Sequence, residues 1–93
     1  MRKYKIIYLK EAKTELYKLK LSGETNLLNR IIMLIKELKV DPKRGKGKPK
    51  RVDFRGKKYW SRRITDKHRL IYDIHENIVT VTIIKVGKHY DDK

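Results

Sequence analysis

The sequence contains no cysteine, only two prolines, one tryptophan and one phenylalanine, and few acidic residues: 11 Asp and Glu stand against 26 Lys and Arg. Without cysteine, disulfides and thiolate chemistry are excluded, and the chain suits a reducing compartment such as the cytoplasm. The only apolar run near the start is Ile6 to Leu9, too short for a signal-peptide core or a membrane span, so no membrane partner is expected. His68, His75 and His89 are widely spaced and have no carboxylate cluster around them. No metal-binding spacing results, and no cofactor is expected. Gly45-Lys46-Gly47-Lys48 lacks the strand, loop and helix that a phosphate-binding P-loop needs. No basic recognition helix is present for reading DNA.

What is there is positive charge. The net charge is +15 over 93 residues, which points to one domain spanning 1–93. Such a chain repels itself and gains when an anion lies against it, and nucleic acid is the usual candidate. The excess is uneven: residues 41–69 hold 13 basic and three acidic residues, whereas residues 70–93 are nearly balanced. A footprint is therefore expected in the middle third.

Tyr4 to Leu9 reads as a strand from its β-branched and aromatic content. Lys10 to Leu21 then takes helical spacing, with Ala12, Leu16 and Leu19 on one face and Glu11 and Glu15 in the early turns. Ser22-Gly23 breaks it. A second helix starts near Glu24, with Ser22 or Thr25 as candidate caps, and carries a stripe of Leu28, Ile31, Ile32, Ile35 and Leu38. It ends before Pro42. Residues 41–58 read as an irregular basic loop in which Val52 and Phe54 start a short strand.

The remainder alternates. Tyr59, Ser61, Arg63 and Thr65 fall on one strand face and Trp60, Arg62 and Ile64 on the other, so at most one of Arg62 and Arg63 faces any given site. His68 to Ile74 and Ile78 to Val86 are further strands, separated by a turn at Glu76-Asn77, and Gly87 ends the last. The expected fold is α+β: a strand, two helices, then a mainly antiparallel sheet of three to four strands. The helices cover one sheet face and the other is left free.

Lys, Arg, His and Tyr are sufficient to cut RNA. The 2′-hydroxyl attacks, a base takes its proton, cations stabilise the phosphorane, and an acid protonates the leaving 5′-oxygen. Histidine suits the acid and arginine the phosphate. Taken singly, His89 reads as a surface residue, Tyr90 and Trp60 as packing residues, and His68 as a residue ordering a hairpin.

The runs GKGKPK (45–50), YWSRRIT (59–65), HRLIY (68–72) and HY (89–90) together resemble the YoeB/Txe branch of the RelE-type toxins over essentially the whole chain. The resemblance implies a ribosome-dependent endoribonuclease that cuts mRNA in the ribosomal A site and is held in check by a cognate antitoxin. By resemblance, His89 is the general acid, Arg69 the phosphate-stabilising arginine, Tyr90 a positioning tyrosine and Arg63 a further active-site arginine. Lys43, Arg44, Lys46, Lys48, Arg51, Arg55, Lys57 and Lys58 would meet RNA or the ribosome. The implied partners are the 70S ribosome, mRNA, a YefM/Phd-like antitoxin with an acidic C-terminal segment, and a second copy of the chain. One position departs from the family pattern: Lys50 stands where a glutamate base is usual. A lysine at its ordinary pKa of ~10.4 is protonated at neutral pH and cannot accept a proton. Lys50 therefore reads as an altered base, a second phosphate clamp, or the mark of a weakened or lost activity. In that last case the chain would be a basic RNA- or ribosome-binding protein of the same fold.

Overall fold

β-Branched and aromatic residues open the chain as a strand, β1 (Lys5–Tyr8), followed at once by α1 (Lys10–Leu21). In the computed structural model, which describes residues 3–45 and 47–88, these lead into α2 (Thr25–Val40) and then into β2 (Lys50–Phe54), β3 (Lys57–Arg63), β4 (His68–His75) and β5 (Thr80–Lys88). The five strands form one sheet in the order β1-β5-β4-β3-β2. β2 to β5 are joined by antiparallel pairings, and β1 closes the sheet by a parallel pairing with β5. The α+β order read from the sequence holds, with four strands after the helices and a fifth from the start of the chain.

The helices pack on one sheet face. Ala12 on α1 and Leu27, Ile31, Leu34, Ile35 and Leu38 on α2 bury against Leu70, Tyr72, Val81, Ile83 and Val86. Each such side chain contributes about 1.5–3 kcal/mol by leaving water. The α2 stripe is rotated from the expected one: Leu27 and Leu34 are inside, while Ile32 is 48% exposed. Both stripes contain Ile31, Ile35 and Leu38, and only packing decides which flanking row turns inward. Neither Ser22 nor Thr25 caps α2. Glu24 is the cap residue and makes no side-chain cap bond, and the Ser22 hydroxyl turns back to the Leu19 carbonyl.

The second sheet face is only partly free, contrary to expectation. Val52 and Phe54 of β2 meet Ile71 of β4 and Ile84 of β5, with Tyr59 packed beside them. β2 and β5 are separated in the sheet by β3 and β4, so a buried cluster that includes residues of both, on the face without helices, points to a sheet curled over this face. A bulge at Ile71/Tyr72 leaves Ile84 as an extra residue on β5, and bulges increase local twist. The second half of the stretch expected to be loop, Lys50 to Lys58, is therefore part of a hairpin, and the expected short strand at Val52 and Phe54 is β2. Its turn, Arg55-Gly56, has positive φ at both residues (51° and 80°), the geometry that matches strand twist. Two smaller boundaries also shift. Ile78 lies in a short 3-10 turn (Glu76–Ile78) and is 64% exposed, outside β5. Gly87 does not end β5 but pairs with Arg69 within it.

β1 covers β5 only from Thr80 to Ile83. Beyond that point α1 supplies the missing acceptor: the Val86 N–H donates to the Glu15 carboxylate at 2.8 Å. Lys85 pairs with the same carboxylate and with Glu11 at 3.6 Å.

Candidate functional site

Strand parity sorts the charges of β3. Arg62 lies between Trp60 and Ile64 on the helix side and is fully buried, while Ser61 and Arg63 turn to the opposite face. On that face two rows cross the sheet. One runs through Lys50, Ser61 and Ile71, and the next carries Arg63 directly opposite Arg69. The curl of the hairpin covers one end of the face with apolar residues and leaves the other end open. There a cleft of about 170 Å³ is lined by Gly47, Lys48, Lys50, Ser61, Arg63 and Arg69.

The electrostatics of this cleft are one-sided, because no carboxylate of the described residues lines it. Lys48 and Lys50 make no ion pair among the described residues, and Arg63 has only Asp66 at 3.7 Å. Arg69 is oriented by backbone: its Nη1 donates to the carbonyls of Thr65 at 2.7 Å, His68 at 3.0 Å and Asp66 at 3.3 Å. Like charges placed directly across strands repel, so the Arg63–Arg69 pair gains from an anion between or above the two guanidinium groups. The cleft is smaller than an ordinary ligand pocket of ~300 Å³ or more and is on the scale of a phosphate group. A wider groove of about 1240 Å³ adjoins it and shares Gly47, Lys48 and Arg63.

The sequence-expected residues divide. Lys50, Arg63 and Arg69 come together on the cleft, and Lys48 joins them. His89, Tyr90 and Lys46 lie outside the described residues. β5 ends at Lys88, whose backbone pairs with His68 one residue from Arg69. The other basic residues are occupied locally. Lys43 pairs with Glu76 at 3.0 Å, Arg44 faces Asp41 at 3.9 Å, and Lys58 pairs with Asp53 at 3.3 Å. Arg51 lies over the Trp60 ring at 5.4 Å and Lys57 over Tyr59 at 5.4 Å. Arg55 makes a two-pronged bond to Glu11, each prong 2.8 Å, which ties the β2–β3 turn to α1. The hydrogen bond from Arg55 holds the Glu11 carboxyl below the ordinary glutamate range, reinforced by the Arg55 and Lys85 charges. His68 orders the β3–β4 turn through Thr65, Nδ1 to Oγ1 2.8 Å.

Sequence reasoning passed over Ser61, although its parity with Arg63 was already visible. It gave Gly47 no role of its own, although Gly47 lies in the GKGKPK run. Among the described residues no group of three or more His, Asp or Glu is placed to hold a metal ion. No described helix is long and apolar enough to cross a membrane.

Two helices thus cover one face of a five-strand sheet, and the other face carries a cationic cleft. A family profile for the YoeB-like toxin of bacterial type II toxin-antitoxin systems matches residues 8–90. Toxin YoeB of Mycobacterium bovis is 40% identical over 70 residues, covering 75% of this chain and 80% of that protein. Among solved structures, a YoeB/ParE toxin from Agrobacterium tumefaciens superposes with a TM-score of 0.83 at 27% identity, covering 92% of this chain and 99% of the other. The toxin in a heterotetrameric YoeB-YefM toxin-antitoxin complex from Staphylococcus aureus superposes at 0.77 with 25% identity, covering 94% and 98%. The chain belongs to the YoeB-like toxins of bacterial type II toxin-antitoxin systems.

Proposed function

We propose that this toxin is a cytoplasmic, metal-independent endoribonuclease that cuts mRNA in the A site of the translating 70S ribosome. The observation that carries this reading is the cleft of Lys48, Lys50, Arg63 and Arg69, whose described lining holds no carboxylate. It is a preorganised cation set of the kind that stabilises a phosphorane. The two arginines hold the non-bridging phosphate oxygens. The 2′-oxygen forms a bond to phosphorus as its proton passes to a solvent water, the bond to the 5′-oxygen breaks to leave a 2′,3′-cyclic phosphate, and His89 gives that 5′-oxygen a proton. Tyr90 positions the substrate, and the basic residues from Lys43 to Lys58 steer the ribosome-bound message by long-range attraction. The partner that restrains the toxin is a YefM/Phd-like antitoxin whose acidic C-terminal segment covers the cationic face; the solved YoeB-YefM complex supports this assignment. A homodimer is a further assembly to test.

The test is primer extension on one mRNA with purified ribosomes, with and without the protein and with His89→Ala. Cuts confined to the translated message and lost in His89→Ala are the expected result. A second reading has its own support in the cleft, whose described lining holds no carboxylate base: the chain binds ribosomes without cutting. Intact message in every lane together with tight, salt-dependent ribosome binding would establish that second reading. Lys50→Glu separates the two further. Restored or altered pH dependence of cutting means that position 50 handles the proton, and an unchanged rate and profile mean that it does not.

A further inference from the structure

Arg62 carries its charge in full burial and takes no part in the cleft. Its guanidinium joins three places. Nη1 bonds to the Glu37 carboxylate on α2 at 2.8 Å. Nη2 donates to the carbonyl of Asp41 at 2.8 Å and to that of Arg44. Nε donates to the Tyr72 hydroxyl at 3.2 Å, and that hydroxyl donates in turn to the Pro42 carbonyl at 2.6 Å. The segment from Asp41 to Arg44 is thus held from beneath by two side chains of the sheet. On the far side of the loop, the Arg63 N–H donates to the Gly47 carbonyl at 2.7 Å. Gly45 sits against the ion pair, and a Cβ there would overlap both the Glu37 carboxylate and the Arg62 guanidinium.

A buried ion pair is a poor source of net stability, since apolar residues of similar volume commonly do as well or better. Its use here is geometric. Only a planar fork bonds several diverging acceptors at once, and a lysine offers a single compact charge. Two of the acceptors, the Asp41 and Arg44 carbonyls, belong to the loop that brings Lys48 and Lys50 to the cleft, and the next residue of β3, Arg63, is itself on the cleft.

We propose that Arg62 is a positioning residue: it latches loop 41–48 onto the sheet so that Lys48 and Lys50 stand on one cleft with Arg63 and Arg69. This inference rests on the catalytic reading above for its effect on cutting, but not for its effect on the loop.

Three variants of the full chain test it, each at a temperature where circular dichroism shows it folded. Arg62→Lys keeps the charge and loses the fork. Gly45→Ala disturbs the pair from the loop side with Arg62 intact. Val81→Ala lowers stability from the sheet core and leaves the loop alone. Amide exchange at Lys43, Arg44, Gly47 and Lys48 is compared with that of β4 and β5, and the single-turnover cutting rate is measured at saturating translating ribosomes. Arg62→Lys and Gly45→Ala are expected to speed exchange in the loop alone and to slow cutting roughly ten- to a hundred-fold, the scale of misplaced catalytic groups. Val81→Ala is expected to cut at the parental rate. Unchanged loop exchange, cutting by Arg62→Lys within about two-fold of the parent, or an equal loss in Val81→Ala would overturn the latch. If the parent cuts nothing, it is the catalytic reading that fails, and inorganic pyrophosphate then decides the latch. Weaker pyrophosphate binding in Arg62→Lys and Gly45→Ala than in Val81→Ala upholds it, and equal binding overturns it.

Discussion

Arg62 and Arg63 are consecutive residues of one strand with opposite surroundings. Arg62, on the helix side, is fully buried and bonded to Glu37, Tyr72 and loop carbonyls. Arg63, on the open side, has 43% of its side chain exposed, a distant Asp66 and a like charge directly opposite. The same division runs through the molecule. Cations that hold elements together have partners: Arg55 with Glu11, Lys85 with Glu15, Lys43 with Glu76. Cations of the cleft have fewer: among the described residues Lys48 and Lys50 make no ion pair, and Arg63 reaches only Asp66, at 3.7 Å. The cleft gathers four of the 26 cations, Lys48, Lys50, Arg63 and Arg69, where an outside anion can approach.

That contrast breaks most sharply on truncation. Arg62→Ala leaves Glu37 and the loop carbonyls without their buried cation and is expected to cost about 3–5 kcal/mol of unfolding free energy by urea titration. Arg63→Ala is expected to stay within about 0.5 kcal/mol of the parent by the same titration, with its loss appearing instead in RNA binding. Equal stability losses in the two would abolish the distinction between the faces. Phe54→Ala tests the covered half of the open face. Removing a 7%-exposed ring from the small second core should cost roughly 3 kcal/mol in the same assay; a loss near zero would mean that the hairpin does not need that contact.

Arg69→Ala sharpens the other side. If Arg69 meets a phosphate, the slope of log affinity for ribosomes or RNA against log salt falls by about one unit, with thermal stability little changed. An unchanged slope would remove Arg69 from the anion site. The smallest effect concerns Glu11, whose carboxyl the Arg55 hydrogen bond holds below the ordinary range. Its folded pKa lies below its unfolded one, so its contribution is present above the ordinary glutamate range and is lost as pH falls through the depressed folded value. Both partners are more than a third exposed, which limits the pair to about 0.2–1 kcal/mol. Glu11→Gln should therefore lower stability slightly at neutral pH and flatten the acid side of the pH–stability curve. An acid limb as steep as the parent's would place the lability elsewhere.

The regular elements were legible because their periods are strong. The α1 boundaries, the stop before Pro42 and the opposite facing of Arg62 and Arg63 all follow from spacing. The alternation of Val52 and Phe54 marked a short strand, but the hairpin it makes with Lys57–Arg63 was obscured by nine Lys and Arg across residues 41–58. Which row of α2 turns inward depends on what the sheet presents, which no local pattern records. In the cleft, Lys50, Arg63 and Arg69 were nameable by resemblance, and their approach in space comes from a register that pairs Lys50 with Ser61 and Arg63 with Arg69. Arg62 did carry a signal, since it sits between Trp60 and Ile64 on the apolar face, but nothing in the sequence identifies the loop carbonyls as its partners.

Gly45 has a consequence for how this chain can change over generations. Residues 41–48 have the composition of a linker, and drift is usually permissive in such stretches. Here the inward side of the loop is packed against an ion pair, so a single added methyl group meets obstruction as it would in a hydrophobic centre. Variation should therefore be channelled to the outward lysines and arginines, where recognition of a partner can be retuned, while the inward side changes about as slowly as α2.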